Sequence, residues 1–213
     1  MDEKTQHLDA LKDIRQMMQR SSRFISLSGL SGIAAGLWAL IGAYLAYDRI
    51  EEYYRSYNDE GYNSLGFQKL KLSLFILAAI VLAASLISAF YFTWRRAGKN
   101  KMPLWDYTSK MLAVNMLVPL ITGGLFIIAM LQHNEWRFIA PACLIFYGLS
   151  LLNASKYTLS EIRYLGLCEM VLGLINTQFL GYSLYFWAVG FGVLHIIYGF
   201  AMWWKYEKNP VVK

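Results

Sequence analysis

Charge is scarce in this chain. Only 16% of its 213 residues are charged, while 57% are hydrophobic. A soluble domain carries about 25% charged residues. Cysteine, histidine and proline are also few, at two, three and four. Each shortage excludes something. Cys143 and Cys168 fall on separate apolar stretches, at depths roughly 10 Å apart, which excludes a disulfide. Both read as small apolar packing residues. His7, His133 and His195 belong to three different levels, and no HExxH or paired-cysteine spacing occurs, so no metal or haem site is expected. Phosphate loops, GxSxG elbows and kinase-type sets are missing too. Ser183 is the only serine of the last apolar stretch and lies far in depth from His195. No nucleophile–base pair results, so neither catalytic residues nor a cofactor are expected, and the chain does not read as an enzyme.

What the chain has is apolar residues in blocks, the pattern of a bilayer-spanning protein. The expected fold class is all-α: a polytopic integral membrane protein with six transmembrane helices in three hairpins. The membrane domain spans 24–204, with helices at about 24–47, 70–94, 111–131, 138–153, 162–179 and 182–204. An amphipathic segment, 1–23, precedes it, and a tail, 205–213, follows. The first block is too long for a signal-peptide core and should be retained as a helix. The net charge of +6 does not indicate nucleic acid, because the cations lie beside the apolar blocks. With the N-terminus inside, fifteen Lys and Arg fall on inner segments and five on outer ones. That bias places both termini in the cytoplasm and the protein in a bacterial-type inner (plasma) membrane.

Local patterns add detail. Leu8, Leu11, Ile14 and Met18 recur at helical spacing, predicting an amphipathic helix that leads into the membrane or docks a protein partner. Ser28, Gly32 and Gly36 form a small-residue strip on helix 1, continued by Ala39, Ala43 and Ala46. Such a strip lets a second backbone approach, either inside the protein or in a homo-oligomer. The outer loop 48–66 carries five acids and four tyrosines and is a second surface for a protein partner. Tyr47, Ile50, Tyr54 and Tyr57 keep helical spacing into it, so helix 1 should outrun the membrane by about two turns. Pro119 inside helix 3 removes the amide that would pair with the Asn115 carbonyl, which a neighbour or water must then satisfy. The arrangement resembles small three-hairpin, six-helix bacterial membrane proteins in organisation alone, without a family-specific motif.

The chemistry concentrates in the last hairpin. Glu169 lies about 10 Å from the inner edge of helix 5, and His195 about 13 Å from the inner end of helix 6, counting 1.5 Å per residue. Glu169 shares its face with Gly166, Gly173 and Asn176. His195 shares its face with Gly192, Tyr198 and Gly199. Glycines on both sides would let the two helices close until carboxylate and imidazole meet. Asn115, Tyr147 and Tyr198 fall in the same inner half and complete a candidate intramembrane polar site. An ionisable residue at the bilayer centre costs about 2.5–3.5 kcal/mol on insertion scales and so faces a partner or a cavity. Glu169 therefore reads either as a paired or protonated packing residue that fixes the hairpin or as a protonatable group of a transport, sensing or binding site. Burial and pairing act oppositely on the ionisation of each group. Two functions follow: a non-enzymatic interaction or regulatory membrane protein working through 1–23 or 48–66, or a small-solute or proton-linked transporter or sensor using Glu169 and His195.

Overall fold

The computed structural model describes residues 27–99 and 105–208, so the expected amphipathic segment 1–23, the start of helix 1 and the last residues of the tail lie outside the described residues. Among the described residues the only regular structure is helix, without a strand. Six helices follow one another: α1 Gly29–Glu60, α2 Ser64–Lys99, α3 Tyr107–Gln132, α4 Ile139–Ala154, α5 Glu161–Asn176, and a composite α6. The composite runs as α-helix over Ser183–Trp187, π-helix over Ala188–Leu194, α-helix over His195–Trp203 and π-helix over Trp204–Lys208. Short 3-10 turns lead into α4, out of α4 and into α6. With its flanking turns α4 reaches 22 residues. Together with α1, α2, α3 and α6 it makes five helices long and apolar enough to cross a membrane. α5, with 16 residues, is shorter than the 18 this requires.

The first two helices are longer than the apolar blocks alone suggest. α1 continues to Glu60, so the expected loop 48–66 shrinks to the residues between α1 and α2. Tertiary contacts support the extra turns. Arg49 donates to the Ser73 carbonyl at 3.1 Å, and the Tyr53 ring packs on Tyr57 and on Phe67, which in turn meets Trp136. Gly61 ends the helix at φ 82°, a left-handed backbone that favours glycine, and its N–H bonds the Tyr57 carbonyl.

α6 lies at the centre. It packs on α1 along one side and on α4 and α5 along the other, while α2 is seated on α1 and α3 on α4. Small residues set the spacing. A Cβ on Gly32 would stand 3.1 Å from Gly199 Cα, and one on Gly36 would stand 2.7 Å from the Gly192 carbonyl oxygen. The α1 strip is thus filled by α6 of the same chain. Gly148 and Gly166 bring α4 and α5 together in the same way. α2 and α3 turn large apolar side chains outward, among them Phe75, Ile87, Phe90, Val118 and Leu125. That is the surface expected of helices that meet hydrocarbon.

Two polar devices hold the bundle. At the Pro119 break, the Asn115 carbonyl accepts Asn153 Nδ2 at 3.0 Å, and the next carbonyl, Met116, accepts Ser150 Oγ at 2.7 Å. Both donors sit on α4, three residues apart and therefore on one helix face. The second device closes one end. Glu207, in the last turn of α6, accepts from Gly29 N–H at 2.7 Å and Ser28 Oγ at 3.1 Å, at the positive end of α1. Arg96 at the end of α2 donates to the Leu27 carbonyl and pairs with Glu207 at 3.4 Å. Beside them Glu161, first residue of α5, accepts from Lys205 Nζ at 2.6 Å and Tyr206 Oη at 3.0 Å.

Two outcomes are expected. Gly166→Ala drives a Cβ to 2.8 Å from the Gly148 oxygen and 2.9 Å from the Leu152 nitrogen, and should cost about 1–3 kcal/mol. Gly124→Ala meets nothing within 4 Å and should stabilise by up to about 1 kcal/mol; denaturant unfolding in micelles compares the two. The Glu161 contacts predict a pH dependence. Burial opposes ionisation of Glu161, but the bonds from Lys205 and Tyr206 outweigh it and hold the carboxyl below its ordinary value. A lowered folded value means that the contribution is fully present above the ordinary carboxylate range, near 4, and is lost as pH falls through the folded value. Glu161→Gln should therefore flatten the acid limb of melting temperature against pH.

Candidate functional site

The buried face of α5 is Ile162, Leu165, Gly166, Glu169, Gly173 and Asn176. These positions recur every three to four residues, the helical period. Gly166 and Gly173 are spent on α4, against Gly148 and Leu151 and against Leu144 and Ile145. Glu169 and Asn176 are left as the only long polar side chains on this face, and both are 0% exposed.

Glu169 meets His195 of α6, with Oε1 at 3.4 Å from Nδ1. That is ion-pair range but not a hydrogen bond, because the Nδ1–H is directed elsewhere. It donates to the Gly190 carbonyl at 3.0 Å. A carbonyl can only accept, so Nδ1 carries the proton. Nε2 of the neutral ring then accepts from Tyr147 Oη of α4 at 2.8 Å. The Tyr147 ring also stacks on the imidazole, with centroids 5.4 Å apart. Every polar atom of His195 is thus engaged, whereas neither oxygen of Glu169 has a hydrogen-bond partner.

Room for the carboxylate comes from Gly190. A Cβ there would lie 2.5 Å from Glu169 Oε2 and 2.5 Å from Leu144 Cδ2. Gly190 belongs to the π segment Ala188–Leu194. In an α-helix, residues five apart point roughly 140° apart. In the π register they are hydrogen-bonding neighbours and come close to one face. The local π winding therefore turns Gly190 and His195 to the same side, where the carboxylate is.

The residues expected in one site are divided by the structure. Glu169, His195 and Tyr147 stand together. Tyr198 lies one turn along, its hydroxyl 3.8 Å from Cys168 Sγ. Asn115 belongs to the Pro119 break, where its Nδ2 donates to Met111. Gly192 and Gly199 face α1 rather than α5, and Ser28 is buried against Glu207. Cys143 and Cys168 are both free thiols. Ser183 donates to Asn176 Oδ1 at 3.0 Å.

Comparison with protein-family models, curated proteins and solved structures found no match.

The reading of the function therefore rests on this geometry. Sequence reasoning passed over Gly190, because a 3.6-residue period puts it on a different face from His195. It also passed over Asn153, Ser150, Arg96 and Glu207, whose partners are distant in the chain. The spacing Ser150-x-x-Asn153 on an apolar helix was the one available signal for the bond to α3. Among the described residues no group of three or more His, Cys, Asp and Glu is placed to hold a metal ion. What the arrangement can do is hold one carboxyl group, out of water, next to an imidazole whose tautomer is fixed.

The hollow at Gly190 gives a direct check. Gly190→Ala should cost about 1–3 kcal/mol through contact with Glu169 and Leu144. Combined with Glu169→Ala, the loss should fall short of the sum of the single losses by at least about 0.5 kcal/mol. Strict additivity in that double-mutant cycle would place the carboxylate outside the hollow.

Proposed function

We propose that this chain is a polytopic protein of a bacterial-type inner membrane, with both termini cytoplasmic, and that it binds and releases a proton at Glu169 as the working group of a proton-linked transporter or sensor. One observation carries the reading: a fully buried carboxyl group with neither oxygen hydrogen-bonded, 3.4 Å from an imidazole. A buried carboxylate that served only to fasten helices would be expected to have its oxygens satisfied, since an unpaired buried charge is strongly destabilising. A carboxyl group that must gain and lose a proton is better left with free oxygens. The titratable groups that meet it are His195 from α6 and, bonded to that imidazole, Tyr147 from α4; Tyr198 of α6 and Cys168 of α5 face each other instead.

Glu169 takes the proton, His195 supplies the adjacent polar wall, and Tyr147 together with the Gly190 carbonyl holds the imidazole in one tautomer. Protonation removes a charge at the contact between α5 and the π segment of α6. This is where two helix registers meet, and π segments recur at functional sites. The interaction reading rests on 1–23, outside the described residues, and on 48–66, which is mostly helix here.

A hydrophobic carbodiimide reacts with the protonated carboxyl. In the purified protein, labelling of Glu169 read by mass spectrometry should fall as pH rises and the carboxyl gives up its proton, and Glu169→Gln should abolish the adduct. A folded protein unlabelled at every pH would overturn the proposal.

A further inference from the structure

Glu169 is not the only buried group on this face with an unused polar atom. Asn176, seven residues on, is also 0% exposed, and its Nδ2 has no partner. Seven residues are two turns, so the two side chains stand on one face about 10 Å apart. In buried sites, polar atoms left unsatisfied by protein mark places for internal water. Here there are two such places in line, between the same two helices. At the far end Asn176 Oδ1 accepts from Ser183, a half-buried residue at the start of α6, just past the turn that joins it to α5. At the near end are the free oxygens of Glu169. The interval between them is occupied by Leu144 of α4, itself 0% exposed. Its Cβ lies against Gly173, midway along the face, and its Cδ2 lies against Gly190 beside the carboxylate.

We propose that Ser183 and Asn176 form the mouth of a hydrated path by which protons reach Glu169 from the side of the α5–α6 turn, and that Leu144 is the apolar barrier along it. This rests on the reading of Glu169 as a proton-binding group and deepens it by naming the side from which the group is served. The step is a plain proton transfer. A hydrated proton arriving at the mouth is passed on to one Oε: an O–H bond of hydronium breaks, the O–H bond of the carboxylic acid forms, and neutral water is left; the reverse returns the proton. Asn176 contributes two donors and an acceptor and is itself not titratable, so it can orient water without trapping the proton. The opposite side of Glu169 is closed by the His195–Tyr147 bond and ring stack, which leaves the Asn176 side as the one with spare hydrogen-bonding capacity.

The test is the rate at which the Glu169 carboxyl exchanges its proton for deuterium. It is read as the shift of the carboxylic C=O infrared band in the full-length protein in lipid vesicles. The band is assigned as the one that Glu169→Gln removes. Asn176→Leu and Ser183→Ala should slow exchange, the former by about tenfold, which corresponds to about 1.4 kcal/mol. Leu144→Ala should speed it by a similar factor. Ser183→Ala and Leu144→Ala keep the proposal testable should Asn176→Leu not fold. Exchange indifferent to Ser183→Ala and Leu144→Ala, or slowed instead by Tyr147→Phe alone, would overturn the path while leaving Glu169 a proton-binding group. A spectrum with no band that Glu169→Gln removes, at any pH, would overturn both.

Discussion

α6 has to satisfy two neighbours that make incompatible demands. Toward α1 it must be smooth, and Gly192 and Gly199, one heptad apart, provide that. Toward α4 and α5 it must offer a hollow for a carboxylate and a polar group beside it, and Gly190 and His195 provide those. An α-helix keeps the first pair aligned but splays the second. Winding Ala188–Leu194 as π-helix brings Gly190 and His195 toward one side. The placement of α4, α5 and their polar groups depends on that local change of winding, because Leu144 and Glu169 both pack into the Gly190 hollow.

Around this centre the bundle follows a consistent rule. Where backbones approach, the contact is glycine: α1 on α6, α4 on α5. Where proline removes a backbone donor, a side chain from the next helix supplies the missing bond, as Asn153 does for the Asn115 carbonyl, with Ser150 adding a bond to the next carbonyl. In hydrocarbon such bonds cannot be left to solvent. The Glu169 oxygens and Asn176 Nδ2 depart from that rule.

The helical character of the chain was legible because apolar blocks and charge-flanked ends are composition-level signals. Counting residues in from each helix end put Glu169 and His195 at one depth, and the structure sets them 3.4 Å apart. Less was legible in the details of who faces whom. The glycines beside Glu169 and His195 suggested one α5–α6 contact, but Gly166 and Gly173 belong to α4, and Gly192 and Gly199 to α1. A period of 3.6 cannot reveal a π segment from inside, and it assigns faces wrongly beyond the shift. Charges at the block ends were counted by sign alone, so the partnership of Arg96 with Glu207, 111 residues away, carried no local trace. The length of α1 was partly readable from Tyr54 and Tyr57, yet what stabilises its last turns is contact with Ser73 and Phe67 on the next helix.

The Glu207 contact with Gly29 also orders assembly in time. The amide it binds belongs to the first turn of α1, and the carboxylate lies 178 residues later. During synthesis α1 is made long before α6, and domains form from the N-terminal side as the chain emerges. The start of α1 therefore remains uncapped, and its glycine strip unfilled, while the intervening four helices are being made. The first helix must wait for the last one, and a chain arrested before Glu207 would hold α1 and α2 as a pair whose principal partner has yet to arrive.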